Sequence, residues 1–422
     1  MGFGTGRVTF CRYRVVGDAP VSATETILGT LADHTFKEQE FGTPDEVESG
    51  FISSSHLYDT EFSFENNVFG NPAGSVLLFA VRIDTHQVPA DVKFAHRKMQ
   101  EKAMAELNPS GFATRAQKME AKDAAERDIR DDLAAGKYRK SKAVPMMWDL
   151  SSKRLYAGAS TNQVFEQIAR LMAEAFNVTI EPLSSGTIGE LAFGANHRDF
   201  EDLQPSRFTS PPPESTEDFE NADGPADINT PVLPWTHASI STRDFLGNEM
   251  LVWLWYLNEA GETVIRVPEY VNGEANGKRS NIAIVFHQSL DMDCAWDVRG
   301  KQSLRSSKPT RLPESAEALA TGKWPRKVGM IIADDDDGTQ WELTLQADRF
   351  NISGAALPKI EEAETPREAL EQRLELITRL GDVLDGIFHA FMTERMEPSW
   401  ESKRQAIREW ITQRRKKFQG AV

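Results

Sequence analysis

Four cations surround one aromatic ring in Lys137-Tyr138-Arg139-Lys140-Ser141-Lys142. That combination suits binding a nucleic acid without regard to sequence. Ammonium and guanidinium groups neutralise phosphates, while a flat ring stacks on bases or wedges between them. The same six residues also read as a solvated lysine-rich loop. A second basic run, Arg299, Lys301, Arg305, Lys308 and Arg311, lies in the C-terminal half. Clustered carboxylates at Asp334-Asp335-Asp336-Asp337 suggest Mg²⁺ and phosphoryl chemistry. Four consecutive aspartates before Gly338, between two apolar runs, fit a hairpin turn better, because adjacent turn side chains point apart. Gly2 to Gly6 lacks the Gly-Lys-Ser/Thr ending of a phosphate loop and precedes a strand. No His-Glu-x-x-His, Cys-x-x-Cys or Gly-x-Ser-x-Gly occurs. No catalytic residue, cofactor or metal is therefore expected.

The formal charge of −16 argues at first against a polyanionic partner, but its distribution matters more than its sum. From Lys93 to Lys142 thirteen basic residues face eight acidic ones, and past Trp400 seven face two, a net of +5 each time. Arg198 to Asp227 instead carries nine acidic residues against two basic, a net of −7. An acidic body with segregated basic zones repels DNA over most of its surface and admits it at one place. With 40% hydrophobic and 27% charged residues, 422 residues suffice for two or three ordinary globular cores. No window reaches the roughly 18 apolar residues of a membrane span, and no signal-peptide run precedes Val8. Cys11 and Cys294 cannot build a disulfide framework. A cytoplasmic protein without a membrane partner is expected.

Periodicity supplies the elements that must position these residues. Val8 to Val15 alternates like a strand, Ser75 to Arg82 reads as a buried one, and Ser22 to Leu31 as a short helix. After Pro89 a charged helical arm is expected, with one apolar stripe at Ala95, Met99, Ala103 and Leu107. A second stripe runs through Ala121, Ala125, Ile129 and Leu133. Asn108-Pro109-Ser110-Gly111 separates the two helices, and Thr114 with Gln117 caps the second. The basic run then occupies a loop at the tip of the arm. Met146 to Tyr156 forms a hairpin, followed by a helix capped by Ser160 and Gln163 and a strand at Val178–Ile180.

Ser210 to Asp218 is too polar and proline-rich for a core, so residues 196–240 are expected to form a flexible acidic insert. Met250–Leu257 and Asn281–Phe286 both look like strands, as do Val328–Ala333 and Trp341–Leu345 around the aspartates. Ser315–Thr321 is a short helix stopped by Gly322, and Thr365, Pro366 and Glu368 start a long one. Trp400 to Phe418 puts Ile407, Trp410 and Ile411 on one side and Arg404, Arg408, Arg414 and Arg415 elsewhere, an amphipathic basic tail. The expected organisation is an N-terminal α/β part (1–92), the arm (93–145), a β-α-β segment (146–195), the insert (196–240), a C-terminal α+β part (241–400) and the tail (401–422). The fold class is α+β, with mixed or antiparallel sheets and a projecting charged helical arm.

The order of these features resembles the RdgC family of recombination-associated DNA-binding proteins. Pro89 to Tyr156 carries the resemblance through its charged arm, basic aromatic loop and Met146-Met147-Trp148-Asp149. Glu314 to Thr393 carries it through a short helix, a strand, the Asp-Asp-Gly hairpin, a second strand and a closing helix. The resemblance implies a horseshoe-shaped protomer and a nucleoid-associated, ring-forming homodimer that encircles double-stranded DNA without sequence preference. It implies no catalysis, and modulation of homologous recombination by a RecA-type recombinase. Carried over, the arm-tip contacts fall on Lys137, Tyr138, Arg139, Lys140 and Lys142. The family has phenylalanine in this loop, where Tyr138 is the only aromatic here. Lys308 and Arg311 would line the hole, and Arg305 is a further DNA-contacting candidate beside them.

The residues around Pro211-Pro212-Pro213, much of Phe245–Arg299 and the tail beyond Trp400 depart from the family's pattern. Two other readings stand beside this one. The first is a Mg²⁺-dependent exonuclease or nuclease accessory factor. The second is a protein-interaction scaffold whose acidic loop and basic tail act on the recombinase.

Overall fold

The computed structural model describes residues 2–38, 45–64, 74–194, 200–212, 230–238, 241–271, 274–296, 300–360 and 363–419. In chain order the elements are β1 (Val8–Val16), α1 (Glu25–Asp33), β2 (Val47–Ile52), β3 (Val76–His86), α2 (Ala90–Glu106), α3 (Arg115–Ala134), β4 (Arg139–Asp149), β5 (Arg154–Ala157), α4 (Asn162–Phe176), β6 (Thr179–Pro182) and α5 (Ser185–Gly189). They continue with α6 (Phe245–Ala260), β7 (Val264–Val271), β8 (Glu274–Cys294), β9 (Lys301–Ser306), α7 (Pro313–Ala320), β10 (Lys323–Asp334), β11 (Gln340–Gln346), β12 (Asn351–Ala356), α8 (Pro366–Met396) and α9 (Trp400–Gln419). The fold is mixed α and β with an open antiparallel sheet. The chain does not divide into consecutive segments. Residues 23–146 with 161–179 form a hairpin unit, and residues 1–22, 147–160 and 180–422 form a sheet unit.

In the hairpin unit, β2 and β3 pair antiparallel, from Val47 opposite Thr85 to Ile52 opposite Ala80. Helices α1 and α4 pack on β2, burying Ile27, Leu31, Phe51, Ile168 and Leu171. Phe51 meets Phe79 edge-on at 5.6 Å, an arrangement favoured by the quadrupole of aromatic rings. Gly50 is required here, because a Cβ would lie 2.4 Å from the Phe36 backbone. The first turn of α4 is capped one residue later than expected, at Thr161, whose hydroxyl accepts from the Val164 amide.

From this sheet rises the arm, the antiparallel pair α2 and α3. Thr114 and Gln117 form the expected capping box. Ala121 and Ala125 are buried as their stripe implies, but Met99 and Leu107 of the expected α2 stripe are exposed. The inward positions of α2 are Val92, His96, Gln100 and Met104, also four apart and partly covered. Gln100 donates to Asp128 at 2.8 Å, and His96 lies 3.7 Å from Asp132. Polar pairing therefore decided which face turns inward. A stripe of two alanines and two larger residues gains too little from burial to prevail.

The sheet unit orders its strands β5-β1-β12-β11-β10-β8-β7, with β6 beside β1 and β9 beside β8. β10 and β11 join through the aspartate turn as expected. Arg12 is buried and pairs with Asp385 at 2.7 Å, while Arg154 reaches Asp382 at 2.8 Å and Asp385 at 2.9 Å. These pairs tie β1 and β5 to α8, whose start at Thr365, Pro366 and Glu368 is as expected.

One expectation fails in this unit, and another is narrowed at its described ends. Met250–Leu257 is the middle of helix α6, not a strand, and everything from Phe245 to Trp255 is buried. A helix covered on all sides is apolar all round, and its sequence has no period by which to recognise it. Within the expected flexible insert, Phe200, Phe208 and Leu233 are buried, and the Phe208 ring lies 5.2 Å from that of Trp324. Three large apolar side chains anchor its described ends, and residues 213–229 lie outside the described residues.

Candidate nucleic-acid interface

The basic run does not lie at the tip of the arm. Helix α3 brings the chain back toward the sheet before Lys137, and Arg139 already opens strand β4. The Thr85 hydroxyl of β3 donates to the Lys140 carbonyl. Lys137–Lys142 therefore sits at the base of the hairpin. The tip is Leu107–Thr114, where Gly111 turns at φ +69° and Asn108 and Gln117 exchange side-chain hydrogen bonds of 2.6 and 3.1 Å. A two-helix arm has its tip between its helices, so a loop after the second helix lies at the base.

At the base, three of the five sequence-derived residues are engaged within the unit. Lys137 reaches Asp132 at 2.5 Å and holds that carboxyl below its ordinary range. Tyr138 adopts a left-handed backbone, φ 64°, which lets its hydroxyl donate to Asp132 at 3.3 Å. For a bulky residue that conformation is an outlier held in place by its surroundings. Arg139 bridges Glu38 at 3.1 Å, and Arg82 binds the same carboxylate at 3.0 Å and Asp84 at 2.7 Å. The two guanidinium groups hold Glu38 low. Lys140 and Lys142 are different. Both are exposed, two residues apart on one strand, and neither has an ion pair among the described residues. Alternate strand residues share a face, so their ammonium groups are presented side by side.

At the tip, Phe112 and Leu107 are each 78% exposed, and Arg115 and Lys118 stand in the first turn of α3 without ion pairs among the described residues. Sequence reasoning passed over Phe112. The available signal was an aromatic placed between a turn glycine and a helix cap, where no core can reach it.

The second sequence-derived group belongs to the sheet unit. Arg305 lies on β9 and pairs with Asp291 at 3.2 Å, and Lys301 lies 4.0 Å from Asp293. Lys308 precedes and Arg311 closes a short 3-10 turn, Pro309–Arg311, and both are exposed without ion pairs among the described residues. Arg299 lies outside the described residues. Helix α9 stands beside them as a packed element rather than a loose tail. Ile407, Ile411 and Arg414 are buried at i, i+4 and i+7, which places Arg414 on the inner face. Arg415 binds Glu317 of α7 at 2.7 Å.

The aspartate run is a turn in which three of the four carboxylates are engaged. Asp334 and Asp337 both meet Arg379 at 2.6 Å, and Asp336 accepts from Asn281 at 3.2 Å. The guanidinium holds Asp337 down at about 2. Burial pushes the Cys11 thiol up to about 11, away from nucleophilic reactivity.

Comparison of the sequence with protein-family models gives no match, and comparison with curated proteins gives none either.

Proposed function

We propose that this protein is a non-enzymatic, sequence-independent binder of double-stranded DNA, as its resemblance to the RdgC family implies. Lys140 and Lys142 carry the reading: two exposed cations, without an ion pair among the described residues, side by side on a strand at the root of a charged helical hairpin. Phosphate neutralisation by such residues is indifferent to base sequence. The exposed Phe112, with Arg115 and Lys118, supplies a second contact of wedge and cations at the hairpin tip. A horseshoe-shaped protomer, a ring-forming homodimer, association with the nucleoid and modulation of a RecA-type recombinase belong to the same proposal. The nuclease reading draws no support from the aspartates, since the carboxylates of Asp334, Asp336 and Asp337 are engaged by Arg379 and Asn281.

Binding to random-sequence duplex should weaken steeply with salt. Lys140→Ala with Lys142→Ala should lower affinity equally for unrelated sequences and flatten the slope of log K against log salt by about two. Fluorescence anisotropy at several salt concentrations measures both. A strong preference for one sequence, or a slope unchanged in the double variant, would remove the assignment.

A further inference from the structure

Helix α9 and the Pro309–Arg311 turn enclose a cleft of about 850 Å³ within the sheet unit. That size lies within the range of small-molecule sites, roughly 300–1,000 Å³. Its floor is Trp255, Val285 and Phe286. Trp255 comes from α6, whereas Val285 and Phe286 lie where β8 has left β7 and not yet met β9, since β7 pairs as far as Ala283 and β9 begins opposite Gln288.

One wall is a column on α9 at i, i+4 and i+8: Trp410, Arg414 and Phe418. The Arg414 guanidinium lies 5.8 Å from the Trp410 ring and 5.4 Å from the Phe418 ring, and 5.1 Å from Trp255 below. Arg414 also binds Glu259 and the Thr310 carbonyl, so the one carboxylate lining the cleft is neutralised. Three further cations line it. Lys308 and Arg311 come from the turn and Lys417 from the helix, all exposed and none with an ion pair among the described residues. The cleft thus joins half-buried aromatic faces to three unneutralised positive charges.

We propose that this cleft binds a nucleotide unit, with its base against Trp410 or Phe418 and its phosphate on Lys308, Arg311 and Lys417. Stacking on aromatic side chains combined with backbone cations is how unpaired bases are held. The cleft is built from residues of the sheet unit alone and does not rest on the duplex reading of Lys140 and Lys142. The same chemistry is offered by a free nucleoside monophosphate and by one residue of a single strand.

The test uses the full chain, a labelled oligothymidylate and anisotropy, with thymidine monophosphate, inorganic phosphate and polyglutamate as competitors. The oligonucleotide should bind. The Lys308→Ala, Arg311→Ala, Lys417→Ala triple variant should bind it at least roughly tenfold more weakly, with an unchanged thermal midpoint. Trp410→Leu should weaken binding while Trp410→Phe, which keeps a ring on α9, retains it. Competition by thymidine monophosphate identifies a free nucleotide as a ligand; competition only by oligonucleotides identifies the strand. Inorganic phosphate or polyglutamate competing as well as the nucleotide would overturn the proposal, as would a triple variant that binds like the parent. Lys140→Ala with Lys142→Ala should leave this binding intact, so loss of duplex affinity in that variant bears only on the hairpin surface.

Discussion

The α2/α3 hairpin and helix α9 are both charged and amphipathic, yet they are held by different means. No residue of α2 is buried, and α3 buries only Ala121 and Ala125. Its two helices meet through Gln100 with Asp128, His96 with Asp132 and the Asn108–Gln117 pair. Helix α9 buries Ile407, Ile411 and Arg414, the last within hydrogen-bond reach of Glu259, Thr310 and Ser315 and among three aromatic rings. Exposed polar pairs contribute tenths of a kcal/mol, whereas removing a buried guanidinium with its packing and hydrogen bonds costs more. The contrast suits the roles inferred above. A hairpin that explores DNA can be weakly held along its length, while a cleft wall must stay in place.

The most direct test of this contrast is Arg414→Ala. It strips away a buried guanidinium that lies among three aromatic rings and donates to the Thr310 carbonyl, while the exposed Glu259 carboxylate stays solvated, and should cost about 2 kcal/mol of stability. The urea midpoint measures the loss, and a change below about 1 kcal/mol would erase the distinction.

Carboxylates sharpen the comparison next. On the hairpin Asp132 is lowered by Lys137, whereas in the sheet unit burial raises Asp382 to about 6, Arg154 opposing and Asp385 adding to the shift. A raised carboxyl binds its proton more tightly in the folded state than the unfolded value of about 3.9 allows. Its contribution is therefore fully present below about pH 4 and is lost as pH rises through about 6, on the order of 3 kcal/mol in all. Asp382→Asn should flatten the dependence of the denaturation midpoint on pH in that window. An unchanged pH profile would mean that Arg154 and Arg12 fully compensate the burial.

The smallest effects belong to the hairpin. Asn108→Ala with Gln117→Ala should accelerate hydrogen exchange in the first turn of α3 while moving global stability by no more than about 1 kcal/mol. Phe112→Ser should change stability by less than about 0.5 kcal/mol, because the ring has no core to leave. A larger loss from Phe112→Ser would show that the ring packs against something, a second copy of the chain included. Sedimentation of the variant would then reveal a concentration dependence.

Local rules were legible wherever a residue's role depends on its neighbours in the chain. The Thr114–Gln117 capping box, the Thr365-Pro366 helix start, the Gly322 stop and the aspartate turn all follow from backbone geometry within a few residues. The same holds for the alternating strands β1, β10 and β11. Charge segregation was legible too, since it needs only counting. What the chain's order could not reveal was which partner each charge would meet. Arg139 and Lys137 look like Lys140 and Lys142 in sequence, but Glu38, a hundred residues away, and Asp132, a turn back on α3, claim the first two. Tertiary structure also turned the hairpin's polar stripe inward, made the apolar run of α6 a helix, and drew Arg414 in among aromatic rings. The physical reason is common to all four. Periodicity and capping energies are set within one or two turns, whereas burial and charge pairing are settled by residues that only the folded chain brings together.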